Sequence, residues 1–382
     1  MHLERLLHEK CKPYLDDAKA QERQAWIRKG EQLQPKPHMI EQWKERVQRT
    51  NMSSVGLVHL WRELSHVYAA SPARRSMLAN LATQHLLDGF PLELMDGDAG
   101  AINLVWIEGV LKAMSAVLGS AKILVLSILG VQSSGKSTLF NVMFDVRLQT
   151  GVGRCTRGVN VQLIKCEGHD NYEYILLLDT EGVRAPDFIG MEGSVWRDNR
   201  MATLAIVPAD ATIVLTKGES TKDISDMLPI MLTAYKRSDL AKEHNCILPS
   251  KLVFVFNQNN TNEVVNLTNI ANTLRTELNS NAERVDQILA GTHIADDTQR
   301  HEPSSPKPQA TTSRAFSDVR VDMNNMDQSD MRVLGTLAGS DSPPKDTPIA
   351  AFGSDVLRLR DYVHSRVVND DWLPRTMNEF AT

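Results

Sequence analysis

Cysteine is scarce in this chain of 382 residues: Cys11, Cys155, Cys166 and Cys246 stand far apart. They form no CxxC pair and no disulfide-like spacing, which excludes a disulfide framework and points to a reducing compartment. Each reads as a small apolar filler. Long apolar runs are missing too, so no segment reads as a membrane span and no membrane anchor is evident. The opening MHLERLLHEK is too charged for a signal peptide. Nor is there a basic run long enough to track a nucleic acid, and the net charge is −5. These absences predict a cytoplasmic protein, or a nuclear one, without nucleic-acid partners.

The apolar fraction of 42% suits a packed globular chain. Residues 1 to about 50 are rich in Lys, Arg, Glu and Gln and read as charged amphipathic helix anchored by Leu3, Leu6, Leu7, Trp26 and Trp43. Helices are predicted over 54–68, 72–87 (stopped by Gly89) and 101–118 (stopped by Gly119). FPLELMDGDAG between them reads as a turn-rich segment. Its Asp96 and Asp98 read as a turn plus helix cap in preference to a metal pair.

From residue 122 onward strands and helices alternate. Strands are predicted at 122–129, 159–166, 173–178, 211–215, 252–256 and 331–337, with the second and third joined as a hairpin through EGHDN. His169 in that turn reads as an exposed loop residue. Helices are predicted from 137, over 197–207, 221–237, about 262–289, and 354–368. This alternation predicts an α/β fold, a mostly parallel central sheet flanked by helices. Residues about 295–328 turn polar and Pro/Ser-rich and read as a flexible insertion. The organisation predicted is a helical N-terminal extension over 1–100 and one nucleotide-binding domain over 101–382.

Gly130-Val131-Gln132-Ser133-Ser134-Gly135-Lys136-Ser137 carries the chemistry. It follows the apolar run KILVLSIL and opens a helix with Thr138 in its first turn. A glycine-rich turn between strand and helix aims several backbone N–H groups, and the positive end of the helix, at one point. That arrangement holds phosphate, with Lys136 reaching the β- and γ-phosphates and the Ser137 hydroxyl ligating Mg²⁺. Asp179-Thr180-Glu181-Gly182 ends the later strand EYILLL. A carboxylate there holds Mg²⁺ through water, and the Gly182 N–H approaches the γ-phosphate. Between the two motifs, Thr156 in RCTRG is placed to close on the metal when the γ-phosphate is present.

GVQSSGKSTLFN, CTRGVNVQLI and DTEG together resemble the dynamin and guanylate-binding-protein superfamily of large GTPases. With HLLDGFPLELMDGDA upstream, the chain is similar to the GTPase region of the interferon-inducible very large GTPases and the up-regulator of cell proliferation, from about Ser53 to Val368. Members are far longer, so the chain resembles a stand-alone or truncated module. The resemblance implies a P-loop G domain that binds GTP and GDP with Mg²⁺, hydrolyses GTP slowly and pairs with a second copy through its G domain. It assigns phosphate contacts to Gly130 through Thr138, metal ligation to Ser137, Thr156 and Asp179, and γ-phosphate sensing to Gly182. Lys136, Gln132, Ser133 and Thr156 are the candidate catalytic residues.

The chain departs from the family pattern at three points. Ser133 stands where guanylate-binding proteins carry an arginine finger, leaving Arg154 or Arg157 as alternative charges. Val183 stands where Ras-like enzymes carry a catalytic Gln, and valine cannot orient water by hydrogen bonding. The base-reading N-K-x-D appears as Asn257-Gln258-Asn259-Asn260. Amide oxygens still accept hydrogen bonds, but without charge assistance. Two alternatives therefore stay open beside a slow GTPase: a nucleotide-dependent interaction module with weak catalysis, and an ATP-binding P-loop protein.

Overall fold

The computed structural model describes residues 57–97, 99–146, 148, 156–166, 168, 170–183, 193–218, 222–236, 250–259, 269–281, 318–322, 326–335, 350–369 and 372–381. The charged segment 1–50, Cys11, Cys155, Cys246, Asp98, His169, Arg154 and Asn260 lie outside these residues, as does most of the segment read as an insertion. The chain divides into two compact units, Met1–Leu78 and Ala79–Thr382.

In the first unit, α1 (Leu57–Ala70) is followed by a short 3-10 turn (Pro72–Arg74) and the start of α2 (Arg75–Leu87). Arg75 caps the end of α1, its Nε donating to Tyr68 O at 3.1 Å while its guanidinium lies over the Tyr68 ring.

The second unit is built on an eight-stranded sheet. Its elements, in chain order, are β1 (Leu92–Met95), α3 (Leu104–Leu118), β2 (Lys122–Gly130), α4 (Lys136–Phe144), β3 (Val159–Lys165) and β4 (Tyr174–Thr180). Then come α5 (Ser194–Ile206), β5 (Ala211–Lys217), α6 (Lys222–Lys236), β6 (Lys251–Asn259) and α7 (269–281). The last elements are β7 (Met331–Gly335), α8 (Ala350–Val367), β8 (Arg375–Thr376) and the single turn α9 (Met377–Phe380). The strand order is β1-β3-β4-β2-β5-β6-β7, with the two-residue β8 pairing the start of β2. The run β4-β2-β5-β6-β7 is parallel, and β3 and β1 continue it antiparallel. The α/β fold with a mostly parallel sheet is therefore as the sequence predicts, and so is the β3–β4 hairpin.

Central strands are continuous apolar runs because both faces are covered. Leu124, Leu126 and Ile128 of β2, with Val253 and Val255 of β6, pack under α4 and α8 through Leu139, Phe140, Val356 and Val363. Leu252, Phe254 and Phe256 face the other way, toward Met201 and Ala205 of α5, Met227 and Met231 of α6, and Leu274 of α7. Alternate residues thus feed two cores, one on each side of the sheet.

Three local expectations change. FPLELMDGDAG is not all turn: Leu92–Met95 forms β1 and pairs with β3, so the sheet starts upstream of residue 100. Four residues are too few for a pattern to stand out from a turn; pairing supplies the strand. The cap of α3 is Asn103, whose side chain accepts from Trp106 N, and Asp96 instead closes the turn by its backbone to Ala101 and Gly100. Finally, the downstream part of the polar segment 295–328 is docked. Val321 is buried in the α5–α6 core, and Asp318 pairs with Lys251 at 2.7 Å.

Candidate functional site

The phosphate-loop motif sits at the C-terminal end of β2, the central strand, between β4 and β5. Its glycines are there for lack of room. A Cβ on Gly130 would lie 2.2 Å from Leu215 O, and one on Gly135 would lie 2.8 Å from Asn257 Nδ2. Gly135 also takes φ +94, and the exposed Ser133 sits at φ +61, so the loop makes a tight left-handed turn before α4 begins at Lys136.

Lys136 is buried, its Nζ donating to Val131 O at 2.9 Å and more weakly to Gly130 O at 3.4 Å. Burial lowers its pKa to about 8, although Asp179 and Glu181 pull it upward. An ammonium held in this way gains most from an incoming anion, because the anion replaces the water it has lost.

Ser137, Thr156 and Asp179 come from three separate elements and meet at one point. Ser137 Oγ donates to Asp179 Oδ2 at 2.7 Å, Thr156 Oγ1 donates to the same oxygen at 2.9 Å, and the two hydroxyl oxygens lie 2.8 Å apart. Asp179 is buried, which raises its pKa against the lowering effects of Ser137, Lys136 and Thr156. Its Oδ1 is buried with no hydrogen-bond partner, as are Gln132 Oε1 and Ser134 Oγ in the loop beside it. Buried acceptors left open at the convergence of two hydroxyls and a carboxylate fit a hard divalent cation. Among the described residues there is no cluster of three or more His, Cys, Asp or Glu. This donor set instead matches the Mg²⁺ of phosphate sites, where the substrate and water complete the shell.

Gly182 lies directly against the loop: a Cβ there would be 2.2 Å from Gln132 N. Val183 N donates to Gly130 O at 3.1 Å, and Val183 pairs with Val131 in a parallel bridge. The Val183 side chain is 1% exposed and belongs to the α5–α6 core. The position is thus filled by a core residue. Asn257 is buried and ties the end of β6 to the GVQSSGKS loop, its Nδ2 donating to Ser134 O at 2.9 Å while its Oδ1 accepts from Gln258 N. Gln258 itself takes φ +61 with its amide near Gly135. The structure therefore gathers Gly130 through Thr138, Thr156, Asp179, Gly182, Asn257 and Gln258 on one edge of the sheet. Arg157 is half-buried beside Thr156.

Sequence reasoning missed a layer behind these residues. Glu181 is buried, and its Oε2 accepts from Gly158 N at 2.8 Å and pairs with Arg197 of α5. Arg197 Nε donates to Gly97 O at 3.0 Å. Glu181 was legible as a member of DTEG, but nothing in the spacing joins it to residues 97 and 197.

A family model described as URGCP-like GTPase domain matches residues 5–301. Interferon-induced very large GTPase 1 of Mus musculus is 34% identical over 254 residues, covering 60% of this chain and 10% of that protein. The protein of that name from Homo sapiens is 35% identical over 209 residues, covering 52% and 8%. Up-regulator of cell proliferation of Bos taurus is 34% identical over 200 residues, covering 48% and 21%. The chain thus spans between 8% and 21% of the length of these relatives. Among the described residues no helix is long and apolar enough to cross a membrane.

Proposed function

Because the chain belongs to the URGCP-like GTPase domain family, we propose that it binds GTP with Mg²⁺ at the edge formed by Gly130–Thr138, Thr156, Asp179 and Gly182, and hydrolyses it slowly. The observation that carries this reading is the meeting of Ser137, Thr156 and Asp179 beside the buried Lys136, with Asp179 Oδ1 left open.

In this reading the backbone N–H groups of Gln132 to Ser137 cradle the phosphates, and Lys136 offsets charge on the transferring group. Ser137 and Thr156 hold the metal directly and Asp179 holds it through water. Mg²⁺ held there would supply positive charge against the phosphate groups. Gly182 lets the backbone approach the γ-phosphate without obstruction. Gln132, Ser133 and Thr156 are left to orient the attacking water. Asn257 holds the base-side loop against the phosphate loop, and Gln258 lines it. A second copy facing this edge would supply further groups; turnover per molecule that rises with protein concentration supports that pairing, and constant turnover removes it.

Val183 favours a second reading, a nucleotide-dependent interaction module whose hydrolysis is too slow to matter. A buried valine contributes no hydrogen bond to water. Single-turnover phosphate release separates the two. Wild type that releases phosphate no faster than Lys136→Ala is an interaction module. Competition calorimetry of GTP against ATP, with magnesium present, tests the base. Displacement of GTP by equimolar ATP refutes guanine selectivity.

A further inference from the structure

Thr156 rests on Ser137 and Asp179. What holds it is found two residues on. Gly158 is gripped at both ends by one residue: its N–H donates to Glu181 Oε2 at 2.8 Å, and its carbonyl accepts from Glu181 N at 2.7 Å. Gly158 takes φ +63, and a Cβ there would lie 1.8 Å from Met95 O. Gly97 presses from the other side, where a Cβ would lie 2.3 Å from Gly158 N and 2.6 Å from Glu181 Oε2. The turn after β1 is therefore a wall of this site. Glu181 and Arg197 are both buried, and Arg197 is anchored in turn by Gly97 O. Four segments close on one buried ion pair: the β1 turn, the Thr156 segment, the DTEG loop and the first turn of α5.

We propose that Arg197 is a positioning residue which, through Glu181 and Gly158, holds Thr156 on Ser137 and Asp179. The proposal rests on the nucleotide site described above and adds its regulation. Only one residue, Arg157, separates Thr156 from the clamp, so the chain between them has little slack. A segment already in its competent arrangement loses no affinity to ordering. If it is competent only a tenth of the time, apparent affinity falls about tenfold. That loss falls on ligands that use Thr156, the triphosphates, and spares the diphosphate.

Two variants test this. Arg197→Met takes the Arg197 guanidinium from the buried Glu181 and lowers the melting temperature. Glu181→Met with Arg197→Met removes the carboxylate that faces Gly158 as well and recovers part of the loss, Asp198 still lacking the Arg197 guanidinium, while Gly158 N–H is left without its acceptor. Affinities for GTPγS and GDP, measured by calorimetry with magnesium, give the readout. Both variants are expected to lose about tenfold in GTPγS affinity, with GDP changed less than about threefold. Amide exchange at Gly158 in the nucleotide-free protein is expected to be slow in wild type and fast in both variants. A double variant that stays folded at the assay temperature and keeps both the wild-type GTPγS-to-GDP ratio and slow exchange at Gly158 reduces the pair to a structural role and overturns the proposal. Wild type that binds neither nucleotide instead refutes the reading of the site itself.

Discussion

Replacing Lys136 with methionine should strengthen the nucleotide-free fold while destroying its ligand affinity. Burial takes the lysine from an ordinary 10.5 to about 8. At about 1.4 kcal/mol per unit, holding the ammonium inside costs about 3 kcal/mol near neutral pH. Its acceptors, two loop carbonyls, compensate little, one of them 3.4 Å away. Methionine has nearly the same length and no charge to desolvate. That figure already includes the attraction of Asp179 and Glu181, so the net stabilisation should be up to about 3 kcal/mol. The pH dependence gives the sign. Below about pH 8 the lysine is protonated in both folded and unfolded chains, and the penalty is fully present. Between about 8 and 10 the unfolded chain keeps the proton that the folded chain has released, so wild-type stability rises with pH and the gap to Lys136→Met closes. Urea unfolding near pH 7 and near pH 10, without nucleotide, measures both ends. A variant no more stable than wild type at pH 7, or a gap that does not change with pH, would refute the reasoning about this lysine.

The same lysine makes binding pH-dependent: phosphate raises its pKa again, so triphosphate affinity should be constant below about pH 8 and fall by up to about tenfold per unit above it, as calorimetry across pH 7 to 10 would show. Asp179→Asn should leave nucleotide affinity nearly the same with magnesium as with a chelator, whereas wild type should lose affinity on chelation; an undiminished magnesium effect in the variant removes Asp179 from the metal site. Gly182→Ala places a methyl 2.2 Å from Gln132 N, against backbone that cannot step aside. The GVQSSGKS loop must shift, and turnover should drop about a hundredfold, since displacements near 1 Å cost that much in rate at positioned sites; a change within threefold contradicts the close approach.

The central parallel strands β2, β4, β5 and β6 were legible because each is a short, mostly apolar run bounded by polar loops, and burial on both faces demands that composition. GVQSSGKS and DTEG were legible because local backbone geometry does most of their work. By contrast, β1 and β8 were not. Leu92–Met95 and Arg375–Thr376 are strands only because β3 and β2 offer partners. The place of Val183 in the α5–α6 core appears only once DTEG is packed on the GVQSSGKS loop. Asn103 as the cap of α3 was open to reading, since Asn followed by a helical pattern is an ordinary start signal, but the acidic turn before it drew the assignment.

By itself the sequence determined which residues carry charge, hydroxyl and glycine at motif spacing, and hence a phosphate loop at the end of a parallel strand. Those are properties of neighbours along the chain, set by backbone torsions and side-chain chemistry. Only the tertiary structure decided that Arg197 would reach Glu181, that Gly97 would press on Gly158, and that Thr156 would meet Asp179. Such contacts join residues from 16 to about 60 positions apart, and they form only when two cores bury the sheet and bring its loops to one edge.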